Sequence, residues 1–148
     1  MPFRKLLEII WKGFTPLKDS TLIETSVPTL LARYLIQSKD FSRAGNYVKA
    51  RAFMPPPDRK TSVFQINGLT DNEIWDIGED HVARPQEKTL HGRGDILAAA
   101  VEKTKVLKIH YDNIPLRHAN IIGWPEEKDR QKLLAQELAA EAELKLRP

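Results

Sequence analysis

The chain has 148 residues, 29% of them charged, with a net charge of +3 and no cysteine. A chain of this length can bury roughly two-thirds of its unfolded surface, so one core suffices without staples; the lack of cysteine excludes disulfide frameworks and thiolate zinc sites. No apolar run approaches the roughly 18–20 residues of a membrane span, and the basic start MPFRKLLEIIWKGF, interrupted by Glu8 and Lys12, does not read as a signal peptide, so a cytoplasmic protein is expected.

In chain order, Leu6, Leu7, Ile10 and Phe14 fall at helical spacing, which predicts a short basic helix over Phe3–Phe14 ending at Gly13 and Pro16. Lys18–Thr25 reads as a connection or a short strand. Ser26 and Pro28 form a helix start, and Leu30, Leu31, Tyr34 and Leu35 predict a helix over Thr29–Gln37. Tyr47–Met54 alternates loosely and predicts a strand, stopped by Pro55-Pro56-Pro57, which has no amide donors for a sheet. Thr61–Ile66 is rich in β-branched and aromatic residues and predicts a strand closed by Asn67-Gly68. Thr70-Asp71-Asn72-Glu73 matches a capping box, so a helix begins there with Ile74, Trp75 and Ile77 on its buried side.

Asp80–Lys88 is polar, holds Pro85 and reads as a loop. Asp95–Thr104 is predicted helical, Val106–Tyr111 a strand, Asp112–Pro115 a turn and His118–Trp124 a strand or extended segment. Pro125 opens a last helix with Glu126 and Glu127 in its first turn and Lys145 and Arg147 near its end, complementing the helix dipole. These elements give about three or four strands and four or five helices in mixed order: one α+β domain over residues 1–148, with a small mixed sheet, a long C-terminal helix and residues 1–20 as a peripheral helix.

Three features carry candidate chemistry. Between Lys39 and Lys60 lies a basic block that includes Arg43, Lys49 and Arg51, and between Asp71 and Glu87 an acidic one. His91-Gly92-Arg93-Gly94-Asp95 reads as a glycine-relaxed loop whose Asp95 caps a helix, so that free amides beside Arg93 would hold an anion. Arg117-His118-Ala119-Asn120 places His118 and Asn120 on one strand face and Arg117 on the other. The histidine spacing matches no recognised metal motif, and no nucleotide loop or G-x-S-x-G is present, so neither a metal nor a cofactor is expected.

Taken together, AFMPPPDRKTSVFQINGL, HGRGDI and RHANIIGWP resemble a family of small bacterial proteins of unknown function. The likeness covers most of the chain after about Leu30. It implies a bacterial, cytoplasmic, single-domain protein and supplies neither an activity nor site residues.

The residues themselves support a binding module for an anionic partner, nucleic acid or a phosphorylated small molecule. Arg43, Lys49, Arg51, Arg93, Arg117 and Asn120 would make the contacts, and Tyr47 and Phe53 would stack on bases. A second expectation is a metal-independent enzyme acting on a phosphate- or nucleotide-like substrate, with His91 and His118 as acid and base. A third is a protein-interaction or antitoxin-like subunit using the N-terminal or the acidic helix.

Overall fold

The computed structural model describes residues 27–148. The helix expected over Phe3–Phe14 and the connection after it lie outside the described residues. Six strands form one antiparallel sheet: β1 (Leu30–Leu35), β4 (Thr61–Gln65), β5 (Gly92–Leu97), β6 (Lys108–His110), β7 (His118–Ile122) and β8 (Glu143–Leu146), in the order β6-β7-β4-β1-β5-β8. A separate two-stranded hairpin pairs β2 (Phe41–Ser42) with β3 (Tyr47–Val48). The α-helices among the described residues are α1 (Asp71–Gly78), α2 (Ala98–Glu102) and α3 (Lys128–Glu141).

Both faces of the sheet are covered. Leu31, Leu35, Val63, Ile96, Ala119 and Ile121 face one core with α2, α3 and the hairpin, including Phe53, Val101, Ala135 and Leu138. Ala32, Tyr34 and Phe64 face a smaller core with Ile74 and Trp75 of α1. The capping box of α1 forms: the Glu73 amide donates to Thr70 Oγ1 (3.2 Å), and the Thr70 amide donates to Glu73 Oε1 (2.9 Å). Helical turns continue from α1 through Glu79–Gln86, so the loop expected over Asp80–Lys88 is an irregular helical extension that stays on this face.

The architecture is mixed α and β, but the expected balance of three or four strands with four or five helices is overturned by six strands in one sheet, two more in a hairpin, and three α-helices. Residues Thr29–Gln37, expected as a helix, contain central strand β1. A strand packed on both faces needs apolar residues on both, which erases the alternation that identifies half-buried strands. The helix expected over Asp95–Thr104 is instead the end of β5 followed by the five-residue α2. The strand expected over Tyr47–Met54 lasts two residues before a 3-10 turn at Ala50–Ala52. The long C-terminal helix starts at Lys128 and stops at Glu141, and Lys145 belongs to β8, beside β5.

The glycines of the Gly92-Arg93-Gly94 run lie within β5, between β1 and β8, and not in a loop. A Cβ on Gly92 would lie 2.6 Å from the Lys145 carbonyl oxygen, and one on Gly94 would lie 3.1 Å from Val48 Cγ2. They allow close approach of neighbouring chain, and Asp95 is a strand residue that caps nothing.

Candidate functional site

The antiparallel pairing of β4 with β7 sets Ser62 opposite Asn120 and Phe64 opposite His118. Side chains alternate along a strand, so these four point to the α1 face. His118 is diagonal to Ser62, a separation that long side chains bridge. The Ser62 hydroxyl lies 2.8 Å from His118 Nε2. On the far side of the ring, His118 Nδ1 lies 2.8 Å from Asp112 Oδ1. Asn120 Nδ2 donates to Asp112 Oδ2 at 3.3 Å, fixing the second carboxylate oxygen.

Asp112 and His118 are brought together by the turn between β6 and β7. The Asn113 amide donates to the His118 carbonyl, and the His118 amide to the Pro115 carbonyl, both at 2.9 Å. Asn113 and Arg117 take positive φ (58° and 76°), and the Arg117 amide donates to Asn113 Oδ1 (2.6 Å). The hydrogen bond with His118 is the largest influence on Asp112 and lowers its pKa, more than partial burial raises it. An ionised carboxylate only accepts, so Nδ1 carries a proton toward Asp112, and in the neutral ring Nε2 is then the acceptor for the Ser62 hydroxyl. The result is a Ser62–His118–Asp112 relay in the order, and at the distances, of a serine nucleophile, its base and the base's orienting acid.

Beside Ser62 the sheet opens. The β1–β4 ladder pairs Leu31 with Gln65 and Ala32 with Phe64 and goes no further. Where the pairs Arg33–Val63 and Tyr34–Ser62 would follow, the Arg33 guanidinium enters instead: Nη1 donates to the Ser62 carbonyl (2.9 Å) and Nε to the Ala52 carbonyl (2.7 Å). Amide and carbonyl of one strand residue point to the same side, so the Ser62 amide faces this opening too. A cavity of about 100 Å³ lies here, lined by Arg33, Tyr34, Ser62, Phe64, His81 and Gln86, among others. His118 packs edge-on against Phe64 (5.1 Å) and His81 stacks on the same ring (6.1 Å).

The structure disperses the other expected residues. His91 precedes β5 and rests against Phe41 of the larger core, whereas His118 rests against Phe64 of the smaller one. Two strands, β1 and β4, stand between β5 and β7, which is about 14 Å of sheet. His91 and His118 therefore do not share a site.

Arg93 is 4% exposed, paired with Asp95 (2.9 Å) and stacked over Trp75 (4.5 Å), a position inside the fold and not on an anion-binding loop. Arg117 Nη1 donates to the Asn67 carbonyl (3.2 Å) and holds a turn. Arg43 and Lys49 are exposed around the β2–β3 hairpin, and Arg51 pairs with Asp40 (3.0 Å). Phe53 is fully buried and cannot stack on a base.

The alternation that puts His118 and Asn120 on one face holds, and both reach Asp112. Ser62, Asp112 and Arg33 carry no motif of their own. The available signal was the pairing of two recognisable strands, TSVFQ and HANII, with a serine in one and a histidine in the other. No family model, curated protein or solved structure matches the chain. No helix among the described residues is long and apolar enough to cross a membrane.

Proposed function

We propose that the protein is a metal-independent hydrolase that cleaves small esters through Ser62. The observation that carries this reading is the continuous Ser62–His118–Asp112 relay, with both contacts to the imidazole at 2.8 Å, opening onto a cavity. His118 Nε2 takes the Ser62 proton as Oγ attacks the ester carbonyl. Asp112 holds the ring and stabilises the imidazolium that forms. Collapse of the tetrahedral intermediate breaks the carbon–oxygen bond to the alcohol, which leaves with the proton from Nε2. A water then gives its proton to Nε2 and attacks the acyl-Ser62, and Ser62 leaves with that proton. The Ser62 amide faces the same opening and would donate to the developing oxyanion.

A fluorophosphonate probe tests this directly. It should label Ser62, located by peptide mass spectrometry, and labelling should be lost in His118→Ala and after denaturation. p-Nitrophenyl acetate turnover should vanish in Ser62→Ala. Equal labelling of native and denatured protein, or turnover unchanged in Ser62→Ala, would overturn the reading.

A second reading, binding of nucleic acid or another phosphorylated partner, is supported by the exposed Arg43, Lys49, Arg59 and Lys60 and by Tyr47, which is 52% exposed. Affinity for single-stranded nucleic acid should then fall steeply with salt, and the Arg43→Ala/Lys49→Ala variant should reduce that slope.

A further inference from the structure

Arg33 is a half-buried cation in the middle of the sheet. Two of its five N–H donors go to the Ala52 and Ser62 carbonyls. Among the described residues no carboxylate lies within ion-pair distance of it; Asp40, whose charge acts on it from further off, is paired with Arg51 at 3.0 Å. A guanidinium in a half-buried place ordinarily has a carboxylate or phosphate against it. Here it has backbone carbonyls, a cavity and, at that cavity, the serine hydroxyl.

We propose that the cavity beside Ser62 takes an oxyanion, the carboxylate or phosphate end of the substrate, with Arg33 as its charged partner. The proposal rests on the reading of Ser62 as nucleophile for its chemistry, but not for the binding itself. Three guanidinium N–H donors remain, two on Nη2 and one on Nη1, available to the oxygens of an anion. The exposed His81 and Gln86 stand at the same cavity; Gln86 Nε2 already donates to the Val82 carbonyl (3.0 Å), which leaves the His81 ring as the further donor. At about 100 Å³, and open on one side, the cavity has room for an anionic head beside Ser62. The ester bond must then lie within a short chain of that head. The substrate class is a short acyl ester with a terminal anionic group, and hydrolysis releases an acid carrying one more negative charge, which the same arginine would hold.

Two measurements test this. The first compares kcat/KM for mono-p-nitrophenyl succinate, a p-nitrophenyl ester bearing a phosphonate, and neutral p-nitrophenyl acetate. The wild type should favour an anionic ester at least tenfold; the preferred head group tells carboxylate from phosphate. In Arg33→Met the ratio should fall to about one, and in His81→Asn it should fall severalfold.

The second titrates succinate and inorganic phosphate into Ser62→Ala, following the histidine ring resonances. Saturable shifts at His81 are expected, and they should disappear in Ser62→Ala/Arg33→Met. Saturable anion binding to Ser62→Ala, together with a wild type that turns over no ester, keeps the anion site and removes the hydrolase. Ester turnover without anionic preference, or no saturable binding of either anion, overturns the anion site whatever becomes of the hydrolase. If Arg33→Met does not fold, the wild-type preference and the Ser62→Ala titration decide the matter by the same criteria.

Discussion

Asp112 and Asp95 are two carboxyls on one sheet face that respond to pH in opposite senses. The hydrogen bond with His118 holds Asp112 below the usual carboxylate range. Its contribution to stability is therefore complete above about pH 4 and is lost as pH falls through the lower folded value. The stability difference between wild type and Asp112→Asn should narrow below about pH 4 in urea melts. Ester turnover in that variant should fall by roughly 10³–10⁴, because the amide no longer selects the tautomer with Nε2 free.

Burial raises the Asp95 pKa, opposed by the hydrogen bond from Arg93. Its contribution is complete below about pH 4 and is lost as pH rises through the higher folded value. Removing Arg93 leaves a buried carboxylate unpaired, so Arg93→Met should cost about 3–5 kcal/mol at pH 7 and less in acid. Arg93→Met/Asp95→Leu should be more stable than Arg93→Met alone at pH 7, a comparison made by denaturant titration.

Among the elements, β5 shows why glycine was misread. Gly92 and Gly94 suggested a relaxed loop, but the run is a strand between two neighbours. The Lys145 carbonyl 2.6 Å from a Cβ on Gly92 is backbone and cannot turn away, whereas Val48 near Gly94 can shift its methyls. Gly92→Ala should therefore destabilise more than Gly94→Ala, with loss of protection along β8 in hydrogen exchange. β1 was misread for a related reason: LLARYL carries Leu31 and Leu35 to one core and Ala32 and Tyr34 to the other, so neither face looks polar. α1 was legible because its Thr70–Glu73 cap is a local interaction. Thr70→Ala should cost about 1 kcal/mol and speed exchange from Asp71 through Gln86, the segment that walls the cavity.

For the whole molecule, the sheet divides two cores of unequal size, and the larger, under α3 and the hairpin, holds most of the fully buried side chains. Leu138, fully buried there, should cost about 2–5 kcal/mol when cut to alanine, measured by thermal or urea unfolding. The candidate site lies under the smaller core. Its parts were recognisable separately, as a strand with a serine and a strand with a histidine. Their meeting was not, because register between strands more than fifty residues apart is a long-range outcome of packing both faces.

The turn from Asp112 to His118 has a consequence for how such a site can arise. His118 and Asp112, the proposed base and its orienting carboxylate, are only six residues apart, in one hairpin that fixes their geometry by its own backbone hydrogen bonds. The rest of the relay comes from a single serine on whatever strand lies alongside. On the proposed reading the hairpin Lys108–Ile122 would be portable: spliced onto the edge of an unrelated antiparallel sheet, with serine at the diagonal position, it should confer fluorophosphonate reactivity on a scaffold that had none. A host that remains inert with the pairing confirmed would show that reactivity depends on the cavity and not on the relay alone.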